Sequence, residues 1–164
     1  MSEEMALFTK TEETDGLLPE DMYESETEKY LIFLSNDIFY GVNADYVVDI
    51  ITEVSITWLP MLPPHIRGVV NLRGQIVPII DFRRLLGQPP KNNDCIVVLD
   101  FEETKIGILV DTVDQMVDVE KGTILSVPYQ NTQDMQKIIS GMYSLPEGGG
   151  TLMVLDCALL LHGR

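Results

Sequence analysis

Nucleophilic catalysis needs a base beside its nucleophile, and this chain offers two histidines, His65 in a Pro-Pro-His turn and His162 near its last residue. Neither stands in a spacing that pairs it with a serine or cysteine. The acidic string Asp111, Asp114 and Asp118 lacks the alternating oxygens and central glycine of a calcium loop, so it reads as solvated carboxylates. Glu102-Glu103 reads as a hairpin tip. Gly148-Gly149-Gly150-Thr151 is not followed by a helix carrying lysine and threonine, which removes the phosphate-cradling reading and leaves a flexible hairpin loop. Cys95 and Cys157 sit inside apolar runs without a Cys-x-x-Cys spacing, as buried free thiols do. These residues give no catalytic group, no metal-ligand cluster and no cofactor fingerprint.

The chemistry that does stand out is positive charge in an acidic protein. Arg67, Arg73, Arg83 and Arg84 fall close together in a chain of net charge −15. Arg73 lies in Asn71-Leu72-Arg73-Gly74 between two apolar strands, where Asn and Gly are turn formers, so its side chain is displayed at a hairpin tip. Two roles fit that position: a solvated turn residue with a local salt bridge, or a binding contact.

The elements that position these residues are short strands. Residues 30–34, 38–42, 68–72 and 75–80 are strand-length, rich in β-branched and aromatic residues, and bounded by Asn, Asp, Gly or Pro. The same texture recurs after residue 94. Gly41, Asp45 and Val47 match Gly107, Asp111 and Val113. Ile66, Gly68 and Leu72 match Ile139, Gly141 and Leu145. Ile79-Ile80-Asp81 with Leu85-Leu86 matches Val154-Leu155-Asp156 with Leu160-Leu161. Collinear matches whose offsets grow only in loops predict a duplicated unit of about 65–75 residues, at 29–90 and again at 94–162. Each unit reads strand, strand, short helical turn, strand, hairpin, short helix. Asp81 and Asp156 precede an apolar pair at helical spacing and are expected to cap those helices. Short strands without long helices fit small closed barrels, two of them packed together.

Composition bounds the rest. Residues 1–28 hold ten of the 26 acids against one base, with few apolar residues, and are expected to be a flexible acidic tail in which Leu17-Leu18-Pro19 to Met22-Tyr23 is an apolar island. The acid excess argues against nucleic acid and against anionic membranes, which select clustered Lys and Arg. No apolar run approaches the ~20 residues of a membrane span, and the start carries acids where a secretory signal carries bases, so a cytoplasmic protein is expected.

The segment Ile66-Arg67-Gly68-Val69-Val70-Asn71-Leu72-Arg73-Gly74-Gln75-Ile76-Val77-Pro78-Ile79-Ile80-Asp81 resembles the signature hairpin of CheW-type domains. Phe39-Tyr40-Gly41-Val42, Gly107-Ile108-Leu109-Val110-Asp111 and Val154-Leu155-Asp156 agree with it. The resemblance covers about residues 29–162. It implies a mainly β fold of two tandem five-stranded SH3-like barrels from an internal duplication, with short helices. On this reading 29–92 form the first barrel and 93–164 the second, after the tail at 1–28.

The resemblance also implies a stand-alone, non-catalytic chemotaxis adaptor without cofactors. Its partners would be a CheA-type histidine kinase and the cytoplasmic tip of methyl-accepting chemotaxis receptors. In the family a displayed arginine and a valine in the preceding helical turn lie in the receptor-contact region, and the matching residues here are Arg73 and Val47, with Asp49 close by. The long acidic leader and Trp58 beside Leu59-Pro60 depart from the family pattern. A second reading keeps the fold but makes it a regulatory or small-molecule-sensing module outside a receptor-kinase array. An enclosed pocket of roughly 300 Å³ or more would favour it.

Overall fold

A computed structural model describes residues 26–126 and 138–162. The apolar island Leu17 to Tyr23 and the side chain of His162 lie outside the described residues. Among the described residues eleven strands run in the order β1 (Thr27–Ser35), β2 (Ile38–Asn43), β3 (Val47–Thr52), β4 (Ile66–Leu72), β5 (Gln75–Asp81), β6 (Cys95–Phe101), β7 (Thr104–Val110), β8 (Thr112–Glu120), β9 (Leu125–Ser126), β10 (Ile139–Ser144) and β11 (Thr151–Leu155). Helix α1 (Phe82–Leu85) follows β5, and α2 (Cys157–His162) follows β11.

The strands form two sheets, one ordered β8-β1-β2-β11-β10-β9 and the other β3-β6-β7-β5-β4. The second sheet closes on itself beyond β3, where Thr57 and Val69 exchange backbone bonds of 2.8 and 2.9 Å. In the first, β9 pairs with β10 in the corresponding place, Ser126 opposite Gly141. Closure of this kind satisfies strand edges that would otherwise recruit another chain.

The duplication is visible in the pairing. Gly41 of β2 lies opposite Val154 of β11 in a parallel pair, and Gly107 of β7 lies opposite Ile79 of β5 in another. These are the residues that the repeat equates, glycine with glycine and Ile79 with Val154. Each pair, however, joins one repeat to the other. The division into a first barrel at 29–92 and a second at 93–164 is therefore corrected: the hairpin β1–β2 belongs to the sheet of β8–β11, and β6–β7 to the sheet of β3–β5. The physical reason is burial. After the exchange, Phe33 and Tyr40 of one sheet close on Phe82 at the end of the other, with ring centroids 5.1 and 4.8 Å from it in edge-on geometry. The largest buried cluster correspondingly draws on both sheets, including Leu31, Val42, Ile80, Val97, Leu99 and Ile108.

A second boundary also moves. Thr27 and Glu28 are already in β1, opposite Glu120 and Val119, so the expected tail is shorter than 1–28. Glu28 accepts bonds from the Tyr30 hydroxyl at 3.3 Å and from Asn43 Nδ2 at 3.1 Å. Burial and the Glu28 carboxylate together push the Tyr30 phenol up to about 12.

Local sequence explains where the repeats differ. Asn43 Oδ1 accepts from the Asp45 backbone N–H at 2.9 Å and starts a 3-10 turn at Ala44–Tyr46. Leu109 stands at the equivalent place in the second repeat and has no acceptor, and the chain there bends directly into β8. Both expected helix caps are present. Asp81 Oδ1 accepts from Arg84 N at 3.3 Å and Asp156 Oδ1 from Leu159 N at 3.1 Å.

Candidate functional site

The four arginines of the first repeat have three different fates. Arg83 is buried, and its guanidinium makes two bonds to Asp111, of 2.8 and 2.6 Å, plus a third to the Pro89 carbonyl at 2.6 Å. Asp111 also accepts from Asn36 N at 2.9 Å and Asn93 Nδ2 at 2.7 Å. The bonded Arg83 guanidinium holds the Asp111 carboxyl well below the usual carboxylate range, against the opposing effect of burial. Reading Asp111 as a solvated carboxylate is thus corrected, because the segment from α1 to β6 folds back over it. Arg67 and Arg84 share the single carboxylate of Asp81, at 2.9 and 4.0 Å.

Arg73 is the most exposed of the four, with 83% of its side chain free against 54% for Arg84. The turn between β4 and β5 has φ of 52° at Arg73 and 84° at Gly74, and Asn71 Oδ1 accepts from Gly74 N at 3.0 Å. Positive φ at both central residues is the geometry of a two-residue hairpin that follows the strand twist. Gly74 adopts it freely, whereas a side chain there costs roughly 1–2 kcal/mol, which Asn in place of Arg73 would reduce. The fold itself therefore gives no reason for arginine. The same holds at the neighbouring tip of β6–β7, where Glu102 and Glu103 have φ of 52° and 68°.

Both tips border one surface. Arg73 Nη2 lies 3.6 Å from Asp49 Oδ2, and these two residues line a shallow depression with Val48, Asp100 and Lys105. A second depression, of about 440 Å³, continues from it past Ile76 and Glu103 and shares Asp100 and Lys105. Lys105 Nζ donates to Gln75 Oε1 at 2.7 Å. Two apolar side chains stand free in this charged ground, Val48 at 49% and Ile76 at 63% exposure. The structure thus brings Asp49 and Arg73 together. Val47 is half-buried and packs on the core, while the next residue, Val48, lies on the surface. Alternation along β3 signals this, since Val47, Asp49 and Ile51 are all less exposed than Val48, Ile50 and Thr52.

Mixed charges around isolated apolar side chains suit docking of another polypeptide. The chemistry of a reaction is missing from the same ground. Neither depression contains a histidine, cysteine, serine or threonine. No group of three His, Cys, Asp or Glu that could hold a metal ion occurs among the described residues. Cys95 and Cys157 are buried free thiols, and burial pushes Cys157 up to about 11. Among the described residues no helix is long and apolar enough to cross a membrane.

Comparison with known proteins agrees with this architecture. The sequence model of the CheW-like domain matches residues 29–164. The chain is 30% identical over 144 residues to a chemotaxis protein CheW of Klebsiella aerogenes, covering 86% of each. It is 30% identical over 104 residues to the chemotaxis protein CheW of Bacillus subtilis, covering 62% of this chain and 67% of that one. In three dimensions it is similar to the scaffolding protein TtCheW from Thermoanaerobacter tengcongensis, with a TM-score of 0.74 at 25% identity, over 84% of this chain and 95% of the other.

Proposed function

The chain belongs to the family of CheW-like domains, and from that premise we propose that it is a non-catalytic adaptor coupling chemoreceptors to a CheA-type histidine kinase in the cytoplasm. The relatives are named chemotaxis proteins, and a solved relative is described as a scaffolding protein. The extent of the match supports the reading, since both chains of the Klebsiella pair are covered to 86%.

The observation that carries the residue-level proposal is Arg73. It occupies a strained hairpin position, is free of the core, and stands beside Asp49, Val48 and Ile76 on one face. On this reading Arg73 and Asp49 contact the receptor tip, with Val48 supplying the apolar contact first expected of Val47. Val47 supports that contact from beneath by fixing the start of β3 against the core. A surface of about this kind gains specificity from its charges and affinity from its few apolar anchors.

The sensor reading is less well supported. The depressions at this face are lined by exposed residues such as Gln75, Ile76 and Glu103, and they are surface clefts, where a sensor would enclose its ligand. Titration of the protein with a helical receptor-tip fragment, and separately with the kinase, tests the adaptor reading. Saturable binding to both, and formation of a ternary complex, is the expected result. Failure to bind either one would overturn it.

A further inference from the structure

All five strands of the β3–β7 sheet reach the shallow depression beside Arg73, and each reaches it with the same end. Val48 and Asp49 come from the start of β3, Leu72 from the end of β4, Gln75 from the start of β5, Asp100 from the end of β6 and Lys105 from the start of β7. Strand direction requires this. The pairs β3–β6, β6–β7 and β4–β5 are antiparallel, and β5–β7 is parallel. Because the sheet also closes through Thr57 and Val69, the depression is the open mouth of a barrel, a place where binding sites form.

The mouth has an apolar floor and a charged rim. Leu72 packs against the core cluster of Val70, Val77, Ile79 and Leu109 and closes that core at this end, with Val48 exposed at its side. The rim carries two carboxylates, Asp49 and Asp100, and two cations, Arg73 and Lys105. Their charges cancel. Arg73 already lies 3.6 Å from Asp49, and Lys105 donates to Gln75 at 2.7 Å. A charged side chain entering the mouth would therefore gain no net attraction and would give up its water. An uncharged apolar one gives up nothing polar and gains contact with Leu72. Size narrows the occupant further, since the depression holds about 190 Å³. A cavity of roughly 150 Å³ accepts a benzene ring, so the mouth has room for one ring-sized side chain.

Resting on the receptor reading of this face, we propose that the barrel mouth takes one large apolar side chain of the receptor tip, seated on Leu72 inside the ring of Asp49, Arg73, Asp100 and Lys105. Gln75→Trp fills the mouth from β5 and leaves all four charges in place, and Lys105→Trp fills it from β7. Each should bind a receptor-tip fragment at least tenfold more weakly in a calorimetric titration, with an unchanged circular dichroism spectrum. The large apolar side chains of the fragment are also replaced by Ala one at a time. One position should cost at least tenfold against the parent protein and less than threefold against a filled mouth, because the two changes remove the same contact. A folded, filled variant that binds as tightly as the parent would overturn the proposal. So would a scan in which every costly position costs as much against the filled mouth as against the parent. Where neither filled variant folds, the scan against the parent decides: a fragment with no apolar position worth tenfold overturns the proposal, and one such position supports it. These results leave the receptor reading standing, since Arg73→Glu tests the rim separately. A fragment that does not bind the parent at all overturns both.

Discussion

Arg83 and Asp111 form a two-bond ion pair across the junction of the two sheets, with 9% of each side chain exposed. Arg83 comes from α1, at the end of β5, and Asp111 from the bend between β7 of one sheet and β8 of the other. Because Asp111 also holds Asn36 and Asn93, one carboxylate ties together the β1–β2 tip, the segment between the repeats and the start of β8. An adaptor that must present faces to two partners gains from a junction fixed in this way.

The pair should make stability depend on pH. A carboxyl whose folded pKa is depressed below its ordinary value of 3.8 adds stability that is fully present above that value and is lost as pH falls through the folded one. Asp111→Asn leaves Arg83 buried without its counter-charge, a change expected to cost about 3–5 kcal/mol at pH 7. Urea unfolding from pH 7 to pH 2 should show the difference between parent and variant narrowing below pH 4. A difference that stays constant to pH 2 would mean that Asp111 does not titrate with folding.

Much of this fold was legible in the sequence, and for definable reasons. The strands, the caps at Asp81 and Asp156 and the repeat register of Gly41 and Gly107 follow from local rules of alternation, capping and spacing. The exchange of hairpins was not legible, because both hairpins have the same pattern and only tertiary burial of Phe33 and Tyr40 against Phe82 decides which sheet each joins. Asp111 was misread for a related reason: its partner Arg83 lies 28 positions away, and nothing local marks it as buried. At the candidate site Arg73 was readable from its turn. The inward placement of Val47 required the phase of β3, which a six-residue strand fixes poorly without its neighbours.

Gly107 gives a test of the exchanged pairing. A Cβ built there would lie 2.6 Å from Ile79 Cδ1 and 2.7 Å from Ile96 Cγ2, so a side chain would crowd side chains of β5 and β6. Valine at this position overpacks the core and should destabilise by about 1–3 kcal/mol in chemical denaturation. At Gly41 the nearest atoms belong to Leu152, at 3.0 to 3.3 Å, and a smaller loss is expected. Equal, negligible effects at both would contradict the close approach of the parallel strands.

Truncation separates the leader from β1. Removal of residues 1–25 should leave the melting temperature of dilute protein within a few degrees of the parent, since β1 begins at Thr27. Extending the deletion through Glu28 removes the pairs with Glu120 and Val119 and the bonds from Tyr30 and Asn43, and should lower it clearly further. Thermal melts of both truncations check this. Equal melting temperatures would show that the start of β1 adds nothing to the sheet.

Receptor binding by Arg73→Glu tests the central claim most directly. The side chain is exposed and its one close ion pair, with Asp49 at 3.6 Å, is of the kind worth about 0–1 kcal/mol, so the variant should fold with an unchanged circular dichroism spectrum. A guanidinium that serves as a binding hot spot is worth roughly 2 kcal/mol or more. The account predicts that Arg73→Glu binds a receptor-tip fragment at least tenfold more weakly in a calorimetric titration, with kinase binding retained. Folded Arg73→Glu protein that binds the receptor tip as tightly as the parent would contradict it.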